Sequence, residues 1–316
     1  MTDVASSGGT MDIENIRSRK LGQYKHTYTP RDAMLYALGL GCSAATDLKY
    51  VYEGAPGFAV LPTYAIVAAH PALGLVPLQA YLPGGVDPAS ALHGEQYLEL
   101  SGAPLPPEGG TLLTRPQLVD LQAKGRGLVA VMRTVTVDEA SGREVAVNEF
   151  SAFLLGKGDV KTPWAPAPRP PAATAPNDPP PGRAPDATAT FTTTPDQAAL
   201  YRLSGDYNPL HVDPKVAQRV GFPHPILHGL CSLGVSVRLV LREAAGDDPA
   251  RLKSVKCRFS KHVFPGETLE VEMWRDPAAP QARIIFRTWT QGGPGGRREL
   301  AVANAAVELR PPAAKL

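Results

Sequence analysis

An aspartate and a histidine five positions apart are the residues of this sequence best suited to acid–base chemistry. Asp206 and His211 flank Asn208 and Pro209, two residue types that favour turns, so both side chains can face one small volume. A carboxylate beside an imidazole can share one water molecule and exchange protons with it near neutral pH. We therefore predict that Asp206 and His211 form a catalytic pair.

A second group suited to catalysis lies at a predicted helix start further along the chain. Pro223 and Pro225 precede an apolar helix predicted over 227–241, and Gly229 falls in its first turn. The first N–H groups of a helix have no partner within it, and the helix dipole favours negative charge there. Because glycine has no side chain, a substrate carbonyl can come close to its N–H. The pattern predicts an oxyanion site beside the acid–base pair.

Other interpretations of these residues stay open from the sequence. Asp206 and Asn208 are also common turn residues. A metal site is the alternative for His211, Asp213, His224 and His228, although Pro225 disrupts the helical spacing of the last two. Cys231 is a candidate nucleophile, but a buried helical cysteine more often only packs. We predict neither a metal ion nor a cofactor.

The chain contains two copies of one unit, because five short runs of its first half recur in the same order in its second half. The longest pair begins at Thr29 and at Thr194, each a good helix N-cap followed by proline. Each copy continues with an apolar helix, predicted over 61–69 and 227–241. Runs of period-two alternation then predict antiparallel strands at 96–100, 127–137, 144–155, 252–259, 268–275, 282–290 and 299–309. This order predicts an α+β fold, with a long helix against a curved sheet in each copy.

Proline sets the predicted domain boundaries. Ten of the 33 prolines fall within 163–185. Such a segment cannot donate enough backbone hydrogen bonds to join a sheet, so we predict a semi-rigid, exposed linker. The predicted organisation is a disordered N-terminus (1–20), a non-catalytic unit (21–160), the linker (161–186), a catalytic unit (187–312) and a short tail (313–316).

Composition excludes several classes of function. A net charge of +2 without a dense basic run argues against binding to nucleic acid. No run approaches the roughly 18 to 20 apolar residues that a membrane span needs. Three cysteines without CxxC spacing are typical of a reducing compartment.

Residues 201–234 read YRLSGDYNPLHVDPKVAQRVGFPHPILHGLCSLG. This stretch resembles the hydratase 2 motif of the MaoC-like, (R)-specific enoyl-CoA hydratases. Further runs of this chain are similar to the hydratase 2 part of the peroxisomal multifunctional enzymes type 2. They are YALGLG, DLKYVYEG, LPTYA, HGEQYLEL and FxxxVFPGETLEVEMW. Matching runs cover most of residues 24–310. The resemblance implies a tandem double hot dog whose N-terminal copy lacks the catalytic residues and has widened to hold bulky fatty acyl chains. It also implies a homodimer.

The resemblance also implies roles for single residues. Asp206 and His211 would hold the water that adds to C3 and C2, Asn208 would orient them, and the Gly229 N–H would bind the thioester oxygen. The residues matched to the acyl-CoA site are His93, Gly94, Lys124, Tyr207, Pro209, Leu210 and Phe259. A structural role remains the alternative for His93 and, above all, for Glu53, and Lys124 is alternatively a solvated turn lysine. Phe259 belongs to the core as well as to the ligand wall. Arg258 and Lys261 are either contacts for CoA phosphates or ordinary surface charges.

The activity implied by the resemblance is hydration of trans-2-enoyl-CoA to (3R)-3-hydroxyacyl-CoA in fatty acid β-oxidation, by syn addition. The alternatives are a hot-dog acyl-CoA thioesterase and a biosynthetic 3-hydroxyacyl-thioester dehydratase. Ala314, Lys315 and Leu316 resemble the Ser-Lys-Leu peroxisomal address. We therefore predict the peroxisome, with its import receptor as a partner, and take the cytoplasm as the alternative.

Overall fold

The computed structural model describes residues 12–82, 84, 85, 91–293, 296 and 298–312. Its strands are β1 (Tyr24–Tyr28), β2 (Ala91–Leu100), β3 (Gly110–Lys124), β4 (Gly127–Asp138), β5 (Glu144–Leu155), β6 (Ala187–Thr192), β7 (Leu252–Phe259), β8 (Thr268–Arg275), β9 (Arg283–Gln291) and β10 (Arg298–Leu309). They form one antiparallel sheet in the order β1-β3-β4-β5-β2-β7-β10-β9-β8-β6.

The strand order repeats the duplication seen in the sequence. The first five strands are ordered first-third-fourth-fifth-second, and the last five have the mirror-image order. The two sets meet where β2 pairs with β7, from Glu95 opposite Arg258 to Glu99 opposite Ser254. The predicted tandem double hot dog is therefore confirmed.

The helices lie between the strands of each copy. They are α1 (Ile13–Ser18), α2 (Pro30–Gly39), α3 (Leu48–Val51), α4 (Tyr64–Ala69), α5 (Leu78–Tyr81), α6 (Pro171–Thr174), α7 (Gln197–Tyr201), α8 (Pro214–Arg219) and α9 (Gly229–Ala245). The long helix α9 is buried along most of its length. Its counterpart α4 has six residues and continues as a 3-10 helix that has Pro71 near its start. None of the described helices is long and apolar enough to cross a membrane.

The prediction that residues 1–20 are disordered is wrong for the part that the structure describes. Asp12 caps α1 by accepting a hydrogen bond from the Glu14 N–H. Ile13 is buried, and the Arg17 guanidinium lies 2.8 Å from the Asp120 carboxylate of β3. These contacts order the helix against the sheet. Residues 1–11 and the predicted tail at 313–316 lie outside the described residues.

The proline-rich segment 161–186 adds no strand to the sheet, but it is not an exposed tether. Side chains of this segment contact both copies of the sheet. Arg169 lies 2.7 Å from Glu149, whose side chain is fully buried. The Asn177 N–H donates to the side-chain oxygen of Asn304 in β10. The segment therefore pairs with polar groups of β5 and β10.

A buried ion pair connects the two copies. The Asp47 carboxylate precedes α3 and contacts Arg238 at 3.4 Å, as well as Arg242, both in α9. Burial works against the charge, but hydrogen bonds from Thr46 and Ser43 and the two arginines hold the pKa of Asp47 below its usual value. The stabilisation is therefore present above the ordinary carboxyl pKa and is lost as the pH falls through the lowered one.

We expect Asp47→Asn to lower the free energy of unfolding by about 3 kcal/mol, because the buried Arg238 loses its counter-ion. Urea unfolding of the purified variant measures the change. The matched control is Glu139→Gln, which breaks a 2.8 Å pair between Glu139 and Lys25 that are both exposed. It should cost about 1 kcal/mol or less. Equal losses in the two variants would contradict the importance of the Asp47 pair.

Candidate active site

Consecutive turns capped by side chains shape the loop that carries the acid–base pair. Asp206 accepts a hydrogen bond from the Asn208 N–H at 3.1 Å. Asn208 in turn accepts from the Leu210 N–H at 3.0 Å and so caps the 3-10 turn Pro209–His211. Gly205 adopts φ +138°, a conformation that favours glycine, immediately before the aspartate. The local sequence thus fixes the backbone that carries both catalytic candidates.

The His211 ring has a defined orientation. Its Nδ1 lies 2.7 Å from the Ile226 carbonyl, which can only accept, so Nδ1 carries the proton. Burial lowers the pKa of His211, against the effects of the Ile226 hydrogen bond and of Asp206. The ring is therefore neutral at neutral pH, with Nε2 as a free acceptor. Burial also opposes ionisation of Asp206, but the adjacent imidazoles and the Asn208 N–H hold the pKa of its carboxyl below the usual value.

His228 is a component of the site that the sequence did not reveal. Its ring stacks on His211 with centroids 3.6 Å apart, and its Nε2 donates to the Asp206 carbonyl at 3.1 Å. Burial next to the His211 ring lowers the pKa of His228 to about 3, so it is neutral. His228 therefore contacts both members of the pair and immediately precedes Gly229 in the chain. In the sequence, His228 stood out only as a possible metal ligand and by its position beside that glycine.

The metal alternative is weakened by the same ring geometry. Asp206, His211 and His228 each present a potential ligand atom within 4.8 Å of the others. The two imidazoles, however, are stacked with an angle of 25° between their planes. Stacked rings direct their nitrogen lone pairs side by side, whereas ligands of one ion must converge on it. The arrangement suits a water molecule between Asp206 and His211 better than a shared ion.

The nucleophile alternative is weakened by burial. Cys231 lies inside α9 and is fully buried. Burial raises the pKa of its thiol far above the usual value. Since the thiolate is the reactive form, Cys231 is inert packing.

The start of α9 provides a backbone donor beside the pair. Gly229 is the first residue of the helix, and its N–H makes no hydrogen bond within the described part of the chain. The Phe259 ring lies 3.2 Å from the place where a Cβ of residue 229 would be. Helix starts attract developing negative charge. The N–H of Gly229 can therefore donate a hydrogen bond to an oxyanion.

A cavity of about 470 Å³ opens beside these groups. That volume is within the usual range for small-molecule sites. The predicted site residues that line it are Asp206, Asn208, Leu210, His211, Gly229, His93 and Phe259. The structure thus brings the acid–base pair, the helix start and two residues of the β2–β7 junction to one space between the two copies.

Other predicted residues lie elsewhere. Lys124 is exposed in the β3–β4 hairpin, and Glu53 is exposed in the turn after α3. Tyr207 is 58% exposed, and its ring lies against the Arg202 guanidinium. Gly94 lies at a β-bulge next to His93, and Pro209 begins the 3-10 turn, so both shape the backbone of the site without lining the cavity. The ligand contacts predicted for these residues stay predictions.

The two basic residues considered for CoA phosphates both have acidic partners. Arg258 lies 2.6 Å from Glu95, across the pairing of β7 with β2. Lys261 lines the cavity and lies 3.5 Å from Glu299. Arg258 therefore pairs with an acidic residue of the other copy at the junction.

Comparison with protein families identifies both copies. The MFE-2 hydratase 2 N-terminal domain matches residues 26–156, and the MaoC like domain matches residues 176–290. Together these matches cover most of the chain and leave the proline-rich segment largely between them.

Whole-chain comparisons agree with this. A probable enoyl-CoA hydratase 2 of Dictyostelium discoideum is 40% identical over 84% of this chain and 88% of its own. The peroxisomal multifunctional enzyme type 2 of Mus musculus is 40% identical over 98% of this chain, which spans only 40% of that longer protein. The crystal structure of a MaoC-like dehydratase from Phytophthora capsici has a TM-score of 0.78 and 33% identity, covering 95% of this chain and 99% of its own.

Proposed function

Since this chain belongs to the MaoC-like hydratase 2 family, we propose that it hydrates trans-2-enoyl-CoA to (3R)-3-hydroxyacyl-CoA. The observation that carries the proposal is the meeting of Asp206, His211 and Gly229 at one cavity. Water addition to an enoyl thioester needs an acid–base pair at the double bond and an electrophile at the carbonyl. The positions of Asp206, His211 and the Gly229 N–H support these two roles.

The chemical step begins with one water molecule between Asp206 and His211. The ionised Asp206 carboxylate and the free Nε2 of His211 both accept its protons. As the water oxygen bonds to C3, its proton passes to Nε2, and the imidazolium then delivers a proton to C2. One molecule of water has been added, and His211 is neutral again. General acid–base assistance of this kind is worth about 10²–10⁴ in rate.

The carbonyl of the thioester accepts the N–H of Gly229. Attack at C3 pushes electrons through the double bond onto that oxygen, which becomes an enolate until C2 is protonated. A backbone donor at a helix start stabilises this charge and is worth about 10²–10³ in rate. Because His211 supplies the proton from the side where the water is held, the addition is syn.

The direct test follows the enoyl absorbance of trans-2-decenoyl-CoA with purified protein, together with chiral analysis of the product. We expect loss of the enoyl group and a (3R)-hydroxyacyl product. A parallel assay with decanoyl-CoA and a thiol reagent tests the thioesterase alternative. Faster thiol release than hydration would overturn the proposal. A dominant (3S) product would overturn the assignment of the site.

The reverse reaction, dehydration of a 3-hydroxyacyl thioester, uses the same groups, because a catalyst accelerates both directions. The structural relative from Phytophthora capsici is named for that direction. Reactions started from the enoyl-CoA and from the 3-hydroxyacyl-CoA should reach the same equilibrium ratio, and their initial rates measure the two directions.

Location and assembly are part of the proposal. The multifunctional relative from Mus musculus is named peroxisomal, which supports work in β-oxidation in the peroxisome. The family resemblance supports a homodimer. Fluorescence of a tagged chain beside a peroxisomal marker tests the location. Light scattering of the purified protein tests the homodimer.

A matched pair of variants tests the role of His228. His228→Phe keeps a ring stacked on His211 but loses the donor to the Asp206 carbonyl, whereas His228→Gln keeps an N–H donor and loses the ring. Because one hydrogen bond is worth about 1 kcal/mol, we expect His228→Phe to lose roughly fivefold in kcat with little change in KM. His228→Gln should lose less. The opposite order would show that stacking, not the hydrogen bond, positions the pair.

A further inference from the structure

A row of four aromatic rings closes the cavity on the side of the N-terminal copy. His70 follows α4 and lies edge-on to Phe150 of β5, with ring centroids 5.7 Å apart. Phe150 packs on His93 at 3.9 Å, and His93 meets Phe259 at 4.7 Å. All four rings line the cavity beside the acid–base pair. The row therefore spans from the helix of one copy to the central strands of the sheet.

A second space lies behind this row, within the N-terminal copy. Its lining residues are Ile66, Ala69, His70, Leu73, Gln96, Met132, Thr134, Asn148 and Phe150. His70 and Phe150 line both spaces and so form the wall between them. The second space has a volume of only about 10 Å³, so it is much smaller than the acyl compartment that the family resemblance implies.

The rings of the wall carry no charge at neutral pH. Burial lowers the pKa of His70, against the attraction of Asp206, and lowers that of His93 further. The Nε2 of His93 is buried without a partner among the described residues. A neutral aromatic wall accepts contact with an alkyl chain but blocks its passage.

We propose that Phe150 and His70 form a partition that sets the acyl chain length of this enzyme, so that short and medium enoyl chains fit and long ones do not. The proposal rests on the proposed function, since it names the substrate class of the same site. Removing the Phe150 ring would join the cavity to the space lined by α4 and β5. A long chain would then extend into the N-terminal copy.

The test compares kcat/KM for trans-2-butenoyl-, trans-2-decenoyl- and trans-2-hexadecenoyl-CoA in the wild type, Phe150→Ala and Phe150→Leu. We expect the wild type to prefer decenoyl- over hexadecenoyl-CoA. Phe150→Ala should raise the hexadecenoyl-to-butenoyl ratio by about tenfold or more, since single methylene groups in an apolar pocket change specificity by that amount. Phe150→Leu should raise it less. A gain with the long substrate cannot come from loss of folding.

The matched control is Phe153→Ala, three positions along β5 and outside the lining of both spaces. Its ratio should equal that of the wild type. Equal wild-type activity on decenoyl- and hexadecenoyl-CoA would overturn the partition, as would an unchanged ratio in both Phe150 variants. Absence of hydration with every chain length would instead overturn the proposed function itself.

Discussion

His211→Ala is expected to reduce kcat for hydration of trans-2-decenoyl-CoA by about 10²–10⁴-fold, with a much smaller change in KM. Without the imidazole, no group accepts the proton of the water or returns it to C2. Asp206→Asn should fall in the same range, because an amide keeps the shape of the side chain but lacks the negative charge that holds and polarises the water. Steady-state kinetics of the two purified variants measures both effects.

The matched control for His211→Ala is His224→Ala. His224 lies in the same region but does not line the cavity, and its ring lies 6.2 Å from Phe264. It should keep near-normal kcat. Thermal unfolding of all three variants separates loss of chemistry from loss of fold. A His211→Ala enzyme with more than about a tenth of wild-type kcat would contradict the role assigned to the imidazole.

Gly229→Pro is expected to reduce kcat by about 10²–10³-fold, because proline has no N–H to donate to the enolate oxygen. The substitution should leave α9 intact. Proline is favoured at the first position of a helix, and the preceding His228 has φ −59° and ψ 134°, which is compatible with a following proline.

Gly229→Ala is the control that keeps the N–H. Its Cβ would approach the Phe259 ring at 3.2 Å, so it introduces the same crowding there. The ratio of kcat between the alanine and proline variants measures the loss of rate that comes from replacing the N–H with the proline ring. Equal activities in the two variants would mean that the thioester oxygen is bound elsewhere.

The loop that brings Asp206 and His211 to one cavity was predictable because its geometry is local. Asp206, Asn208 and His211 lie within six residues, and each turn is capped by a side chain of the same run. The start of α9 was predicted to within two residues for the same reason, since Pro225 and Gly229 mark it; the helix begins at Gly229 instead of 227 and continues to Ala245, beyond the predicted end at 241. These features depend on neighbours in the sequence, and the structure brings Asp206, His211 and Gly229 to one cavity.

The role of His228 was not predictable, because its contacts come from tertiary packing. Its ring meets His211, which is 17 positions earlier, only once α9 lies against the loop. The partition was hidden for the same reason. His70 and Phe150 are 80 positions apart and meet where a helix crosses the sheet.

The strands β1, β3 and β6 were not predicted, and a local signal opposed β3. Pro116 lies inside β3 and argues against a strand. It is tolerated because β1 pairs with β3 only as far as Thr114, so the outer edge of β3 is open at the proline. The alternation predicted for β10 also breaks, since Asn304 adopts φ +46° at a bulge and bonds to the proline-rich segment.

The central claim, that one water held by Asp206 and His211 supplies both added groups, is tested most directly by hydrating trans-2-decenoyl-CoA in deuterated water. NMR analysis of the product gives the relative configuration at C2 and C3. Deuterium at C2 on the same face as the new hydroxyl is the expected result. Deuterium on the opposite face would require a proton donor across the substrate and would contradict the account.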